Sequence, residues 1–465
     1  MTGKAHPAVH PFLVPALAAA QFAPPFMISG VAVALPALDH DLAAGAVALS
    51  LVETLFLASS VAFLLPAGRL GDAADKAALY KAGMAAFAVT SILTGLASSV
   101  GAVLVLRFLQ GIASAAVQAS GAAIIADAVP PERRGRAFGI IIGAVYAGLT
   151  FGPVCAGFLV DAWGWRSVFI AGGAVVLLLL VPPHLLLRAG SLRVDRRAVH
   201  LPSTLLVTAA MLALVAGAAS LREGPLGYAG VALGIALLAA FAWLQPRIER
   251  PLLNVRILVQ NRALGLALLV QWLLYCNAFG TVFLLSLYMQ SVLGHGPDVA
   301  GEVLALGTLL MAAIAPAAGS LSDRTHPATI ASIGVAVALA AMVMAASLDA
   351  GSYLVAVGAV IAVQGVGFAF FSSPNMAIVM NAVPPERTGI AAALSASARS
   401  LGMVSGMLIV GALVSLEIGH RPVGDDPARY IATMQLAFWI LAGLTALALV
   451  LSVGRKKRSR PKAAS

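Results

Sequence analysis

"AVPPERRG" at residues 128–135 and "AVPPERTG" at residues 382–389 are two nearly identical copies of one short segment, 254 positions apart. Each copy lies between long apolar runs. Two prolines followed by Glu and Arg are typical of a loop that ends one helix and begins another. The fold therefore depends on what the flanking apolar runs are.

The composition indicates that these runs lie in lipid. Of the 465 residues, 60% are hydrophobic and 10% are charged, whereas a soluble protein carries about 25% charged residues. A stretch such as "ALLVQWLLYCNAFGTVFLLSLYM" (267–289) leaves no polar face for water. Because lipid cannot hydrogen-bond backbone groups, such runs must be helical. The sequence predicts a polytopic, all-α membrane protein.

Windows of about 20 apolar residues predict fourteen membrane spans. The stretch "ALAAAQ" (16–21) resembles a signal-peptide cleavage site, but the apolar run continues to Leu38. We therefore expect an uncleaved first helix. The predicted spans are 12–38, 47–69, 80–98, 101–126, 137–160, 167–187, 201–221, 226–245, 263–292, 299–319, 328–348, 352–379, 389–416 and 431–453.

The distribution of positive charge predicts that both termini are cytoplasmic. With the N-terminus inside, 23 of the 29 Lys and Arg residues fall in cytoplasmic segments and four fall outside, which is a strong positive-inside bias. The +10 net charge is thus explained by topology, and nucleic acid is not an expected partner. We interpret the basic tail "RKKRSRPK" (455–462) as a topology anchor, with contact to anionic membrane lipid as the alternative.

Several kinds of chemistry find no support in the sequence. Cys155 and Cys276 fall inside predicted spans, where small buried hydrophobes are expected rather than a disulfide. His6 and His10 have i,i+4 spacing, but they lie in a Pro-broken tail, so we predict no metal site. No GxxxxGK[ST] phosphate-binding loop occurs. We expect no cofactor and no enzyme, so any pumping must use an ion gradient or a partner.

The repeated segment belongs to a longer internal repeat. Residues 107–140 match residues 361–394 at one offset, and "GRLGD" (68–72) matches "GSLSD" (319–323) at a similar offset. Two halves duplicated in the same orientation are a transporter architecture. The sequence predicts a six-helix half over residues 1–190, two inserted helices over 191–258, and a second six-helix half with a basic tail over 259–465.

Five motifs in order resemble those of the major facilitator superfamily, and within it the fourteen-span drug:proton antiporters. The resemblance covers nearly the whole chain and implies two parallel six-helix halves plus two inserted helices. It also implies a monomer that exchanges a small-molecule substrate for protons. The motifs are "VAVALPALDHDL" (31–42), "GRLGD" (68–72), "RFLQGIASAA" (107–116), "GLTFGPVCAG" (148–157, similar to GxxxGPxxGG with Ala156 in place of one Gly) and "ASARSLGMVSG" (396–406).

The sequence also departs from this family at positions that matter. The first helix normally carries an Asp nine residues before the proline of its motif, and Met27 stands there. Ala32 replaces the usual Asn, and only Lys76 remains of the basic set in the loop after the second helix. If protons are exchanged, another acidic residue must carry them.

Three residues are candidates for proton coupling. Glu53 is the one acidic residue clearly within a span, and burial disfavours its charged form. Arg107 matches the fourth-helix motif and should face a cavity or a partner, with a snorkelling side chain as the alternative. Glu302 is the second carboxylate, although a solvated position near the external mouth is favoured for it. Arg399, in the thirteenth helix, has a functional role and a structural bond to backbone carbonyls as equal alternatives.

Two further sets of residues follow from the resemblance. Gly148, Gly152 and Gly157 give the fifth helix a face without side chains, and Pro153 favours a kink there. The functional interpretation is a surface on which the halves slide, and the alternative is ordinary packing. A cytoplasmic latch is expected in which Asp127 pairs with Lys76 or nearby Arg side chains. Gly68 and Asp72 match the loop motif and join this latch.

In this superfamily the central cavity is lined by the helices that correspond to 1, 4, 9 and 12. Aromatic walls with few charges suit bulky, largely apolar substrates, and the alternative for the aromatic residues is contact with lipid. In the first helix, the adjacent prolines are expected to interrupt the backbone at mid-membrane. The candidates are Gln21, Pro24, Pro25, Gln110, Gln118, Gln271, Trp272, Tyr275, Asn277, Phe279, Gln364, Phe368, Phe371 and Asn375.

The sequence thus predicts an exporter in the cell membrane that moves an amphipathic organic compound outward against inward proton flow. A uniporter or importer without proton coupling is the main alternative, and Met27 favours it. A non-transporting receptor or scaffold is a third hypothesis. It has little support, because no soluble domain is appended and the loops are short.

Overall fold

The structure is a computed structural model and describes residues 12–73, 75–129, 131–187, 200–248, 261–383 and 388–456. Within these ranges, fourteen helices are long and apolar enough to cross a membrane, and no strand occurs. In chain order they are α1 (Leu13–Leu42), α2 (Gly45–Ala73), α3 (Lys76–Gly95), α4 (Val100–Ala128), α5 (Pro131–Trp163), α6 (Trp165–Leu186), α7 (Leu201–Ala219), α8 (Pro225–Leu244), α9 (Arg262–Leu287), α10 (Pro297–Arg324), α11 (Pro327–Ala346), α12 (Leu354–Asn381), α13 (Thr388–Glu417) and α14 (Pro427–Lys456).

The helices extend beyond the predicted apolar windows, most clearly at the repeated segment. Pro131 is the first residue of α5, so the first "PPER" copy begins a helix instead of forming a loop throughout. A proline at the first helical position has no hydrogen bond to lose and has a suitable φ angle. In the second copy, α13 begins at Thr388, and residues 384–387 lie outside the described ranges.

The two six-helix halves pack their helices in the same pairs. In the first half, α1 packs with α5, α2 with α4, and α3 with both α4 and α6. In the second half, α9 packs with α13, α10 with α12, and α11 with both α12 and α14. Because the corresponding helices pair in the same order, the sequence repeat is also a repeat of packing.

The inserted helices lie at the edge of this arrangement. α7 packs against α8 and also contacts α2 and α13. In α8, 17% of the most apolar window is buried, compared with 78% in α1 and in α9. The central positions therefore belong to α1 and α9, the first helices of the two halves.

α1 is one continuous helix through Pro24 and Pro25, so the predicted interruption at mid-membrane is wrong. A proline has a helical φ angle, and within a bundle the loss of its N–H can be tolerated where neighbours satisfy the freed carbonyls. After the prolines, the Ser29 hydroxyl donates to the Pro25 carbonyl oxygen at 3.0 Å.

Hydrogen bonds join the two halves toward the face that is predicted to be external. Ser286 donates to the Ala32 carbonyl oxygen at 2.8 Å, and Gln290 donates to that of Val33 at 3.2 Å. At the rim, the Ala46 backbone N–H donates to the Arg421 carbonyl oxygen at 3.2 Å. α5 also packs along α10, and α2 along α13.

Candidate functional site

A buried ion pair lies between α2 and α4. The Arg107 side chain is 0% exposed, and its Nη2 lies 3.4 Å from Oε2 of Glu53, which is 2% exposed. Arg107 also donates from Nε to the Val52 carbonyl oxygen at 3.0 Å and from Nη1 to Gln110 Oε1 at 2.8 Å. Arg107 therefore does not snorkel to the surface, because its guanidinium is enclosed by protein groups.

The surroundings of this pair are apolar and incompletely hydrogen-bonded. The Phe56 ring centroid lies 4.4 Å from Arg107 Cζ. Among the described residues, Glu53 Oε1 and Gln110 Nε2 are buried atoms without a hydrogen-bond partner. Because only one oxygen of the Glu53 carboxyl group is used by Arg107, the other can accept a proton. The arrangement is chemically able to exchange an ion pair for a neutral acid.

The acidic partner of Arg107 comes from α2 and not from α1. Met27 on α1 is fully buried, and a Cβ built on Gly172 of α6 would overlap its Sδ. Met27 thus fills an apolar contact between α1 and α6. Glu302 lies apart from this site, because it is exposed in the second turn of α10.

The glycines of α5 let this helix approach two neighbours. A Cβ built on Gly152 would overlap Ser29 Oγ of α1 and lie 2.5 Å from the Phe26 carbonyl oxygen. A Cβ on Gly148 would overlap the carbonyl oxygen of Phe22, also on α1. Both α1-facing glycines are therefore required for backbone contact between the two helices.

The opposite side of α5 contacts α10 of the second half. A Cβ on Gly157 would lie 2.7 Å from the Pro297 carbonyl oxygen, and a Cβ on Gly301 would overlap the Pro153 carbonyl oxygen. α5 therefore lies between α1 of its own half and α10 of the other half. The arrangement is suited to movement of one half against the other, which is the role predicted for this motif.

Ala156, which departs from the family motif, has a matching residue on α1. Its side chain is fully buried. A Cβ built on Gly30 would lie 3.2 Å from Ala156 Cβ and 3.0 Å from the Gly152 carbonyl oxygen. The extra methyl group on α5 is thus accommodated by the absence of a side chain on α1.

The same glycine pattern recurs in α13, which the sequence prediction missed. Gly402, Gly406 and Gly411 lie 254 positions after Gly148, Gly152 and Gly157, the same offset that relates the "PPER" copies. A Cβ on Gly402 would lie 2.5 Å from the Trp272 carbonyl oxygen of α9, and one on Gly406 would overlap that of Cys276. These glycines can be predicted from the sequence by adding the repeat offset to the glycine positions of α5.

The predicted cavity residues form separate hydrogen-bonded groups. In the first half, Gln21 of α1 donates to the Val117 carbonyl oxygen of α4 at 3.1 Å. Gln118 donates to Ser114 Oγ at 2.9 Å. Gln110 belongs to the Arg107 ion-pair site, as described above, and not to this group.

The second half has two buried amide groups. Gln271 Oε1 accepts from Ser395 Oγ at 2.9 Å and from Asn375 Nδ2 at 3.3 Å. Further along α9, the Asn277 carbonyl oxygen accepts from Gln364 Nε2 at 3.4 Å. Asn277 Oδ1 is buried without a hydrogen-bond partner among the described residues. These groups join α9 to α12 and α13.

An aromatic cluster lies where the halves meet. The Tyr275 ring packs edge-on against Phe368, with 5.1 Å between ring centroids. Tyr146 of α5 packs against the cluster that contains both rings. Arg399 of α13 is half-buried, and its role stays a prediction.

The predicted latch is described only in part. A Cβ built on Gly68 would meet no atom within 4 Å. Lys76 is the first residue of α3. The side chains of Asp72 and Asp127 lie outside what the structure describes, so the latch stays a prediction. His6, His10 and Arg387 also lie outside the described residues.

Comparison with known proteins identifies related transporters. The model of the Major Facilitator Superfamily matches residues 17–406 and 267–465. Over 86% of this chain and 76% of its own length, "Multidrug resistance protein Stp" of Mycobacterium tuberculosis (strain CDC 1551 / Oshkosh) is 29% identical. "Riboflavin transporter RibZ" of Clostridioides difficile (strain 630) is 26% identical over 86% of this chain and 88% of its own length.

A solved structure has the same fold. The bacterial homologue of the human lysosomal transporter Spinster, in an inward-facing and unoccupied conformation, superposes with a TM-score of 0.69. The alignment covers 97% of this chain and 98% of that chain, at 16% identity. Together with the family match, this confirms the predicted fold and superfamily.

Proposed function

The chain belongs to the Major Facilitator Superfamily, and on that premise we propose that it exports amphipathic organic compounds in exchange for protons. It is a multi-pass membrane protein that transports small molecules, not an enzyme. Export of drug-like compounds is supported by the relative named a multidrug resistance protein. Proton exchange is supported by the chain's own residues.

The observation that carries the proposal is the buried pair of Arg107 and Glu53. A proton on Glu53 removes the negative charge and weakens the 3.4 Å ion pair. Arg107 then keeps only its hydrogen bonds to Val52 and Gln110. Loss of the proton restores the pair. Because the two residues lie on different helices, α2 and α4, the proton alters how these helices are held together.

The membrane potential makes such an exchange useful. One charge moving through 100 mV supplies about 2.3 kcal/mol, which corresponds to a substrate gradient of about fiftyfold. Inward flow of one proton per substrate is therefore sufficient for efflux. α5 contacts α1 and α10 through backbone at Gly152 and Gly157. Because no large side chain has to be displaced there, these contacts support the proposal that the halves move against each other.

Outward transport requires the orientation with both termini in the cytoplasm, as the charge bias predicts. Cysteine substitutions at single positions test it, with a reagent that does not cross the membrane. Asp425→Cys should be labelled from outside intact cells, and Ser459→Cys should be labelled only after the cells are opened. Labelling of Ser459→Cys in intact cells contradicts the orientation.

The experiment that tests proton coupling uses everted vesicles with a pH-sensitive probe. A panel of dyes and antibiotics is added, and proton release that depends on substrate is measured. Wild type should release protons, and Glu53→Gln should not, while Glu53→Gln keeps substrate binding and exchange that needs no energy. Glu302→Gln is the control, because Glu302 is an exposed carboxylate away from Arg107. Unchanged release in Glu53→Gln rules out Glu53 as the carrier.

A second candidate function is transport of a metabolite without proton coupling. It is favoured by Met27, an apolar residue where the drug:proton antiporters carry an Asp, and by the relative named a riboflavin transporter. The vesicle assay separates the two functions, because a uniporter moves substrate in the wild type with no proton release.

A further inference from the structure

A cavity of about 250 Å³ lies at the face predicted to be external, between the inserted helices and the second half. Its lining comes from two segments, residues 219–223 at the end of α7 and residues 415–421 at the end of α13. Pockets that enclose a drug-sized ligand measure about 300–1,000 Å³, so this cavity suits a smaller group than a whole substrate. Its exposed lining side chains are Arg222, Glu223, His420 and Arg421.

Two external arginines converge on this cavity. Four of the 29 Lys and Arg residues are predicted to face outside, where positive residues are disfavoured. Arg222 and Arg421 are two of these four, and they line the same cavity although they lie far apart in the sequence. The other two, Arg166 and Arg429, each form an ion pair with a carboxylate. Among the described residues, no carboxylate pairs with Arg222 or Arg421.

The Arg222 side chain is held against the end of α13. Its Nη1 donates to the Glu417 carbonyl oxygen at 3.4 Å. A Cβ built on Gly419 would lie 2.8 Å from the same nitrogen, and the φ angle of Gly419 is 71°, so a glycine is required there on both counts. In the described part of the chain, this bond uses one of the five N–H groups of Arg222, and the remaining groups can bind a ligand.

The cavity also contains a carboxylate, but that carboxylate is already bound. Glu223 Oε1 lies 3.1 Å from Nε2 of His420. Two guanidinium groups and one carboxylate give the cavity a net positive charge even when His420 is neutral. A guanidinium binds a phosphate through parallel N–H bonds. The lining is therefore suited to a phosphate group and not to a cation.

The place of the cavity at the edge of the bundle indicates which kind of phosphate reaches it. α8 begins at Pro225, two residues after Glu223, and 17% of its most apolar window is buried. Near its start, Leu226 is 85% exposed and Tyr228 is 58% exposed. A span with so little burial faces lipid, so a phospholipid can place its headgroup in the cavity and its acyl chains along α8. Basic pockets between transmembrane helices bind anionic headgroups in this way.

We propose that Arg222 and Arg421 bind the phosphate of an anionic phospholipid of the outer leaflet. The inference does not depend on the substrate or the direction of transport. A bound headgroup bridges Arg222, which follows α7, and Arg421, which follows α13, so it attaches the inserted helices to the second half. The Arg421 carbonyl oxygen also accepts a bond from the Ala46 N–H of α2 at 3.2 Å. The lipid therefore stabilises the segment through which the two halves meet at this face.

Binding to the purified full-length protein in a neutral detergent tests the proposal without requiring transport. Leu226→Cys, labelled with an environment-sensitive fluorophore, reports binding beside this cavity, because neither native cysteine is exposed. Phosphatidylglycerol is the anionic lipid, and phosphatidylcholine with the same acyl chains is the zwitterionic lipid. We expect phosphatidylglycerol to bind at least about tenfold more tightly. Addition of Arg222→Gln or Arg421→Gln should weaken phosphatidylglycerol binding at least about fivefold and phosphatidylcholine binding less than about twofold.

A matched variant separates recognition at the cavity from a general effect of surface charge. Arg429→Gln removes an arginine from the same face, outside the cavity lining, and should change phosphatidylglycerol affinity less than about twofold. If Arg222→Gln does not fold because it removes the bond to Glu417, Arg421→Gln carries the test, since the Arg421 side chain has no hydrogen bond to a described residue. Unchanged phosphatidylglycerol binding in Arg421→Gln, or an equal loss in Arg429→Gln, overturns the proposal.

Competition with soluble phosphates distinguishes a lipid headgroup from a free anion. Inorganic phosphate and glycerol 1-phosphate are added in molar excess to the labelled protein with bound phosphatidylglycerol. Neither should displace the lipid, because neither has acyl chains to lie along α8. If either binds as tightly as phosphatidylglycerol and with the same dependence on Arg421, the cavity is a site for a soluble anion and the assignment to a lipid is wrong.

Discussion

α5 and α13 carry the same three glycines at the same spacing, yet they differ at the residue that follows the second one. Gly152 packs on the Phe26 carbonyl of α1, and Gly406 packs on the Cys276 carbonyl of α9. Pro153 follows the first of these glycines, whereas Met407 follows the second. Glycine packing against the first helix therefore belongs to the fold that both halves share.

The contact with the opposite half also differs between the two helices. A Cβ on Gly157 of α5 would lie 2.7 Å from backbone of α10, but a Cβ on Gly411 of α13 would lie 3.3 Å from the Ser50 hydroxyl of α2. The α5 contact is thus closer and made through backbone. What distinguishes α5 is its proline and its close approach to α10, and these features are the ones to associate with transport.

Among the described residues, the fully buried charged side chains are likewise confined to one half. At the repeat offset, Arg107 corresponds to Ile361, which is 3% exposed and packs on Gly307 of α10. Gln110 corresponds to Gln364, but the first bonds Arg107 and the second donates to the Asn277 carbonyl oxygen. The two halves therefore share the same helix packing but hold different polar sites, which are an ion pair in the first half and amide groups in the second.

Arg107→Leu should produce the largest effect, because it leaves the buried Glu53 carboxylate unpaired. Removal of one partner of a buried ion pair costs about 3–5 kcal/mol. The equivalent change in the second half, Ile361→Leu, is the control and should cost less than about 1.5 kcal/mol, since it conserves volume. Unfolding in mixed micelles of detergent and SDS measures both.

The double variant Arg107→Leu with Glu53→Gln sharpens this test. It removes both charges, so most of the stability lost in Arg107→Leu should return. A double variant that is as unstable as Arg107→Leu would mean that packing of the guanidinium, and not its charge, stabilises the site.

Replacement of the second glycine in either helix should stop transport. Gly152→Leu and Gly406→Leu both place a large side chain where a Cβ already overlaps neighbouring atoms, so we expect the helix pair to be forced apart and transport to fall more than about tenfold. Gly143→Leu on α5 is the control, because a Cβ there meets no atom within 4 Å. Normal efflux by Gly406→Leu alone would restrict the role of this packing to α5.

Pro153→Ala tests what is particular to α5. The alanine supplies the N–H that proline lacks and permits a regular helix. We expect a severalfold lower transport rate with a melting temperature that is unchanged or raised. Met407→Leu, at the equivalent place in α13, should leave transport unchanged because it conserves volume. Full activity of Pro153→Ala would assign the motif to packing alone.

The fold could be predicted from the sequence because its causes lie along the chain. Apolar windows determine the spans, and the paired "PPER" copies relate the halves. The first copy was harder to place, since a proline at the start of α5 and a proline in a loop have the same sequence pattern. The continuity of α1 through Pro24 and Pro25 could not be predicted, because it depends on whether neighbouring groups satisfy the freed carbonyls.

The residues of the candidate sites could be predicted from the sequence, but which of them lie together could not. A charged residue within a span has few explanations, so Glu53 and Arg107 could be named from sequence. Their 3.4 Å pairing depends on how α2 crosses α4. The sequence predicts Gln110 in the cavity because its helix is expected to line one, but which face Gln110 occupies depends on the rotation of that helix. The sequence does not indicate a role for Tyr146, since a lone tyrosine in an apolar run carries no signal of its partners.

The smallest predicted effect concerns the contact of Gly30 with Ala156, the residue that stands in place of a glycine of the family motif. Gly30→Ala places a methyl group 3.2 Å from Ala156 Cβ and 3.0 Å from the Gly152 carbonyl oxygen, and it should cost about 1 kcal/mol. In the second half, Gly280 meets Val410 in the same way, with 3.0 Å between a built Cβ and Val410 Cγ2.

A double-mutant cycle in each half measures whether these contacts are equivalent. Combining Gly30→Ala with Ala156→Gly removes the opposing methyl group, so the two changes should couple favourably by about 0.5–1 kcal/mol. Gly280→Ala with Val410→Ala should couple with the same sign, because the single rotamer that a helix allows to valine keeps its methyl groups in place. Unfolding in mixed micelles of detergent and SDS measures the coupling free energy of each pair. Strict additivity in the first half would mean that α1 shifts to admit the methyl group, and that Ala156 needs no matching glycine.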